Sequence, residues 1–227
     1  MRYYPINLDI NARNCLVVGG GGVASRKVKS LLDCGAIVTV VSPEFSRELE
    51  NLAEHPNLFL VHRSYQASDL QGQFLVIGAT DDMGLNRRIS SDAQNRQMLC
   101  NIADVPDACN FILPAVIRQG DLVLTISTSG KSPAFAKHLR RNLQDTYGVE
   151  YARFLQLMGG IRKRLLAQEH APEAHKHLFL QLIENNLVEL IRQNDAPAIN
   201  RILQDILGQD FDYDTLMDEA QCQEKDT

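Results

Sequence analysis

Residues 14–42, Asn-Cys-Leu-Val-Val followed by Gly19-Gly20-Gly21-Gly22, then VASRKVKSLLDCG and AIVTVVS, decide the fold. A short apolar run ends in four glycines. Val23, Val28, Leu31 and Leu32 then fall near helical spacing, and Gly35 stands where a helix stops. The next run is β-branched and apolar, as a buried parallel strand requires. Gly19-x-Gly21-x-x-Ala24 therefore sits between a strand and a helix, the context that gives this spacing meaning. Gly19 permits a tight turn, Gly21 lets backbone approach a pyrophosphate, and Ala24 lets the helix pack close to the sheet. The helix start offers unpaired N–H groups and a positive dipole end to an anion, with Arg26 and Lys27 adding charge. A glycine-rich turn without ligand is the bland alternative.

The pattern continues outward. SRELENLAEH reads as a helix stopped by Pro56, LFLVHR and FLVIGAT as strands, NRRISSDAQNRQ as a helix and MLCNIA as a strand. FILPAVIRQGDLVLTIST holds two apolar runs around the turn pair Gly120-Asp121. Strand and helix alternate to about residue 128, which argues for a doubly wound parallel sheet. SPAFAKHLRRNLQDTYG reads as a helix with Pro133 in its first turn. EYARFLQLMGGIRKRLLAQ, HKHLFLQLIENNLVELIRQ and APAINRILQDIL all read as helices. An α/β chain is expected, with an N-terminal Rossmann-like parallel sheet and a C-terminal helical part that begins near residue 145.

A chain of 227 residues, 44% hydrophobic, can bury a sizeable core. The net charge of −5 is uneven. Residues 209–227 carry seven acids and one base, so they read as a solvated or frayed acidic end. The remainder is near neutral, which gives no reason to expect nucleic acid. The five cysteines (15, 34, 100, 109 and 222) form no CxxC pair and suit a reducing cytosol, with Cys15 and Cys34 read as buried thiols. No leader-like segment or membrane-length apolar run is present, so a cytoplasmic protein is expected.

Some neighbouring chemistries are excluded. Gly130-Lys131-Ser132 resembles the end of a phosphate loop, but Thr125 stands where the first glycine belongs. No Tyr is followed four residues later by Lys. His170, His175 and His177 lie among Glu169, Glu173 and Lys176, which reads as a solvated loop or helix end; no metal site is expected.

The second strand ends Val40-Val41-Ser42-Pro43-Glu44. An acid that reads the ribose usually sits at such a strand end. Glu44 is slightly late, Ser42 can serve instead, and no base follows until Arg47, so NAD is favoured over NADP. Asn101-Ile102-Ala103-Asp104-Val105-Pro106 leaves another strand end, the edge where open α/β sheets bind ligands. Asp104 there is either an acid–base residue, a metal contact, or a turn residue before Pro106. Ser127-Thr128-Ser129-Gly130-Lys131-Ser132-Pro133 either holds carboxylates or caps a helix. Lys131, Lys137, His138, Arg140 and Arg141 suit a polyanionic small molecule or a solvated basic face.

In this order, the stretches YYPINLDI, VVGGGGVASRKVKSLLDCGA, IGATDDMGLNRRIS, CNIADVPDACNFILPA and LTISTSGKSPAFAKHLR resemble one family. It is the precorrin-2 dehydrogenase of sirohaem biosynthesis, which also occurs as the N-terminal dehydrogenase/ferrochelatase part of sirohaem synthase. The resemblance spans about residues 3–145. It implies an NAD-binding Rossmann-like domain over 1–112, a small dimerisation region over 113–147 and a helical region with an acidic tail over 148–227, in a homodimer. It implies loss of a hydride from precorrin-2 to NAD and of a proton, giving sirohydrochlorin, with ferrous iron inserted in the same cleft in bifunctional members. It places the catalytic base on Asp104. Its cofactor contacts fall on Gly22, Val23, Pro43, Glu44, Thr80 and Asp81, beside Gly19 and Gly21 of the glycine fingerprint. It sets Asn101 beside the cleft and its serine on Thr128, and with Ser127, Lys131, Lys137 and Arg140 read from their chemistry these are the expected substrate contacts. Thr128 replaces a serine that is modified in some members. No methyltransferase-like segment follows, so methylation of uroporphyrinogen is expected from another protein. The competing expectation is a non-catalytic dinucleotide sensor, such as the ligand-binding module of a potassium-channel regulator.

Overall fold

In the computed structural model, residues 3–167 and 175–224 are described. The chain divides into two compact units, residues 1–113 and 114–227.

The first unit is built on five parallel strands. They are β1 (Asn14–Val18), β2 (Ile37–Ser42), β3 (Leu58–His62), β4 (Leu75–Gly78) and β5 (Leu99–Ile102), in the order β3-β2-β1-β4-β5. The helices are α1 (Gly22–Leu32), α2 (Arg47–Glu50) and α3 (Met83–Asn95). Side-chain alternation splits β1 between two cores. Cys15 and Val17 join Ala24, Val28 and Leu31 of α1 and Leu49 of α2, while Leu16 and Val18 join Ile89 and Ala93 of α3. Both faces are covered, which is why β1 and β2 read as continuous apolar runs. Burying a side chain such as Leu16 completely is worth about 1.5–3 kcal/mol. This is the expected doubly wound, Rossmann-like arrangement.

The second unit opens with β6 (Ala115–Gln119) and β7 (Leu122–Ile126), an antiparallel pair turned at Gly120, whose φ is +56°. Among the described residues six helices follow: α4 (Pro133–Thr146), α5 (Val149–Leu166), α6 (Lys176–Glu184), α7 (Leu187–Gln193), α8 (Ala196–Leu207) and α9 (Tyr213–Glu224). Their core includes Leu157, Ile161, Leu182, Leu187, Ile191, Ile199, Leu203, Phe211 and Leu216. Among the described residues no helix is long and apolar enough to cross a membrane.

Several expectations need correction. The parallel alternation ends at β5, because a two-residue turn at Gly120-Asp121 can join only antiparallel strands. The helix expected over SRELENLAEH is the single turn α2, and residues 51–54 continue as turns. HKHLFLQLIENNLVELIRQ is two helices. Asn186 is left-handed at φ +58°, a conformation that ends one helix and redirects the chain. The acidic end is not simply frayed, since Phe211 and Leu216 are fully buried and α9 packs along α5. Cys34 is only half-buried, whereas Cys15 is buried. His175 is buried rather than solvated, and His170 lies outside the described residues.

Candidate active site

All five parallel strands present their C-terminal ends at one edge of the sheet. The loops after β1, β2, β4 and β5 meet there, around the reversal of strand order between β1 and β4. The residues picked from separate stretches of sequence, Gly19–Gly22, Pro43 and Glu44, Thr80 and Asp81, and Asp104, therefore share one edge.

The glycines divide by role. A Cβ on Gly19 would lie 2.2 Å from the Ala79 carbonyl oxygen, and the residue's φ is +121°. A Cβ on Gly20 would lie 1.9 Å from the Glu44 carbonyl oxygen and 2.8 Å from Ser42 Oγ. These two positions seat the loop against the ends of β4 and β2. Gly21 and Gly22 face open space, with nothing within 4 Å of an added Cβ. Gly21 also caps α1 without a side-chain hydrogen bond, so the first-turn N–H groups stay open to an acceptor. An anionic pyrophosphate fits this cradle.

The loop is tied down from behind. Ser46 N–H donates to the Gly20 carbonyl at 2.8 Å, Ser25 Oγ donates to the Gly21 carbonyl at 3.2 Å, and the Ser25 and Ser46 hydroxyls lie 2.9 Å apart. Ser46 also caps α2. Sequence reasoning missed this pair; a serine one turn into α1 carries no signal without knowledge of what lies opposite. Asn86 was missed too. Buried on α3, it donates from Nδ2 to the Thr80 carbonyl at 2.8 Å and accepts from Thr80 Oγ1 at 3.0 Å. Asp82 caps α3 through Gly84 and Leu85 N–H. Thr80 is thus fixed, and Asp81 is exposed beside it. Pro43 and Glu44 are exposed after the buried Ser42.

Asp104 follows β5, is exposed, and has a left-handed φ of +60°. Ala103 packs into the core cluster of α1. Burial first, and then neighbouring Arg26, hold the Lys27 ammonium below its ordinary 10.5, while the Asp104 carboxylate acts in the opposite sense. Asp104 is therefore within electrostatic reach of the second turn of α1. Asn101 stands apart from the other site residues. It is 8% exposed, and its Nδ2 donates to the Phe111 carbonyl at 3.0 Å, so its amide is committed within the protein.

The remaining candidates belong to the second unit. Ser132 caps α4 by accepting from Phe135 N–H at 3.3 Å, Thr128 Oγ1 accepts from Ser132 N–H at 3.1 Å, and Ser127 Oγ accepts from Ser129 N–H at 3.2 Å. These three hydroxyls serve the loop. Lys131 and Lys137 are exposed and Arg140 half-buried. Among the described residues, none of these three nor Arg141 has a carboxylate within ion-pair distance. The described residues contain no group of three His, Cys, Asp or Glu that could hold a metal ion.

Comparison with known proteins agrees with this geometry. An NAD(P)-binding family model matches residues 6–115, and the model of the sirohaem biosynthesis protein central region matches residues 119–146. The chain is 34% identical over 203 residues to siroheme synthase of Methylococcus capsulatus, covering 89% of this chain and 43% of that protein. It is 33% identical over 215 residues to siroheme synthase of Escherichia coli O1:K1, covering 94% and 47%. The chain thus spans less than half the length of the curated relatives it matches. Among solved structures it matches SirC, a precorrin-2 dehydrogenase, with 28% identity and a TM-score of 0.73, over 89% of this chain and all of that one. An open dinucleotide cradle, an acid at the neighbouring strand end and these matches agree: the chain is similar, in sequence and in fold, to precorrin-2 dehydrogenases and to the corresponding part of siroheme synthases.

Proposed function

We propose that this protein oxidises precorrin-2 to sirohydrochlorin, using NAD. The observation that carries the reading is Asp104 after β5, at the same sheet edge as the open Gly21-Gly22 cradle. When bound, the dinucleotide supplies hydride acceptance, and that redox chemistry is its own. The chain's residues do the rest. Gly21, Gly22 and Val23 of the loop and first helical turn receive the pyrophosphate, and Pro43, Glu44, Thr80 and Asp81 border the nucleoside positions. Asp104 takes the proton released as the substrate loses a hydride, so the products are sirohydrochlorin, NADH and a protonated carboxyl that returns its proton to water. The cations Lys131, Lys137 and Arg140 of the second unit suit a substrate with eight carboxylates. The hydroxyls of Ser127 and Thr128 are the weaker part of that assignment, because the loop already uses them.

Anaerobic incubation with precorrin-2 and NAD is expected to yield NADH and sirohydrochlorin in equal amounts. In Asp104→Ala the rate is expected to fall at least about a hundredfold, within the range of a lost general base, with NAD binding retained. Absence of NADH above an enzyme-free control would leave the sensor reading instead.

Ferrous iron enters this scheme as a second substrate. With no ligand cluster among the described residues, its insertion would depend on Asp104, and the metallated spectrum of sirohydrochlorin with added iron tests it. The span 113–147 is read as the dimerisation region. The β6–β7 pair packs on α4 and α5, and Val116 and Val123 remain exposed on its strands. A homodimer in sedimentation that dissociates on Val123→Lys is the expected result. Cys15, Cys100 and Cys109 are free thiols, consistent with a cytoplasmic location.

A further inference from the structure

Asp104 sits in a turn held by more hydrogen bonds than its length requires. Val105 N–H reaches the Ile102 carbonyl at 3.4 Å, and Cys109 N–H reaches the Pro106 carbonyl at 3.2 Å. The Cys109 thiol lies inside the turn. It accepts from Ile102 N–H at 3.1 Å, and its own proton can go to the Val105 carbonyl at 3.2 Å or the Ile102 carbonyl at 3.3 Å. These acceptors and donor flank Asp104 on both sides in the chain. Asn101 Nδ2, bonded to the Phe111 carbonyl, also lies 3.7 Å from the same sulfur. Further out, Asn110 Oδ1 accepts from Cys100 N–H at 2.8 Å, its Nδ2 donates to the Met98 carbonyl at 2.6 Å, and Ser90 Oγ donates to the Ala108 carbonyl at 2.8 Å.

The arrangement has a physical purpose. A left-handed φ is costly for a residue with a Cβ and persists only where its surroundings over-determine it. Here the surroundings are Cys109, Asn101, Asn110 and Ser90. Cys109 is 9% exposed, so the thiol is spent on backbone groups rather than on a ligand.

We propose that Cys109, supported by Asn101, is a positioning residue that holds the Asp104 carboxylate in the geometry needed for proton abstraction. This rests on Asp104 acting as the base in the proposed oxidation. Asn101 then acts through the turn, not by touching the substrate. Serine at 109 can keep a donor and an acceptor in place, whereas valine has similar bulk and neither function.

The test measures kcat, KM for precorrin-2 and NAD affinity in the full chain. Cys109→Val is expected to lower kcat about tenfold, with KM and NAD affinity within twofold of wild type. Cys109→Ser is expected to recover most of the loss. In an Asp104→Asn background, Cys109→Val is expected to cause no further fall, because the residue acts through the missing carboxylate. A merely structural role would lower the rate again in that background and would overturn the proposal. An inactive Asp104→Asn beside a fully active Cys109→Val overturns it alone. Full activity of Asp104→Asn overturns the base assignment and this proposal together. If Cys109→Val is poorly folded, hydrogen exchange on Cys109→Ala serves instead: lost protection of residues 102–105 together with a lowered kcat supports the proposal, and lost protection with unchanged kcat overturns it.

Discussion

A methyl group on Gly20 would collide with the Glu44 carbonyl, while one on Gly21 would meet no protein atom. The two adjacent residues therefore predict opposite phenotypes. Gly20→Ala must displace backbone, and its stability is expected to drop by about 1–3 kcal/mol, the usual cost of overpacking. Gly21→Ala should still fold, since exchanging a glycine N-cap for Ala costs about 1 kcal/mol or less and meets no clash. It should weaken NAD about tenfold, or about 1.4 kcal/mol, because the added methyl occupies space left open for the cofactor. Thermal unfolding with and without NAD separates the two. Equal loss of stability in both variants would mean that Gly21 is also a packing position. The motif in the sequence marks both glycines alike, and only the neighbouring loops after β2 and β4 distinguish them.

At the level of elements, α9 shows how composition misleads. Four of its twelve residues are acids, yet Phe211 just before it and Leu216 within it are buried in the helical core. Asp212 fixes its start by accepting from Thr215 N–H and Asn200 Nδ2, each at 3.0 Å. Leu216→Ala is expected to cost about 2–5 kcal/mol, seen as an earlier urea midpoint; an unchanged midpoint would show that α9 contributes little. The Gly120-Asp121 hairpin teaches the converse lesson. The turn pair was legible, but the strands it joins were read as part of the parallel alternation, because apolar runs look alike in either sheet. Their separation depends on pairing partners, which local sequence does not encode. In the same way the strand-end position of Asn101 gave no sign that one of its amide N–H groups donates to the Phe111 carbonyl ten residues later.

Across the whole molecule, acid should act on both units at once. Arg63 beside Asp69 in the first unit holds that carboxyl below its usual 3.8. In the second unit Arg192 beside Glu150 holds that carboxyl below its usual 4.5, and Thr215 holds Asp212 below 3.8. The sign follows directly. Each folded-state group stays ionised where its unfolded counterpart is protonated, so its contribution is complete above the unfolded value and is lost as pH falls through the folded one. Melting temperatures measured from pH 7 down to 3 should therefore hold steady above about pH 5 and then fall. Glu150→Gln should flatten part of that fall. A profile unchanged by the substitution would show that the Glu150–Arg192 pair, 2.6 Å apart but with a half-exposed arginine, is screened by solvent.

The sequence alone determined the parallel sheet, the dinucleotide loop and the acid after β5, because each is written locally: apolar runs, glycine spacing and a strand-end motif need no distant partner. Tertiary structure decided which glycines face open space, which face backbone and which hydrogen bonds shape the turn at Asp104. It also decided that the acidic end packs and that Asn101 is committed inward. Those properties are set by residues brought together from separate parts of the chain, and a linear pattern carries no record of what lies across a turn.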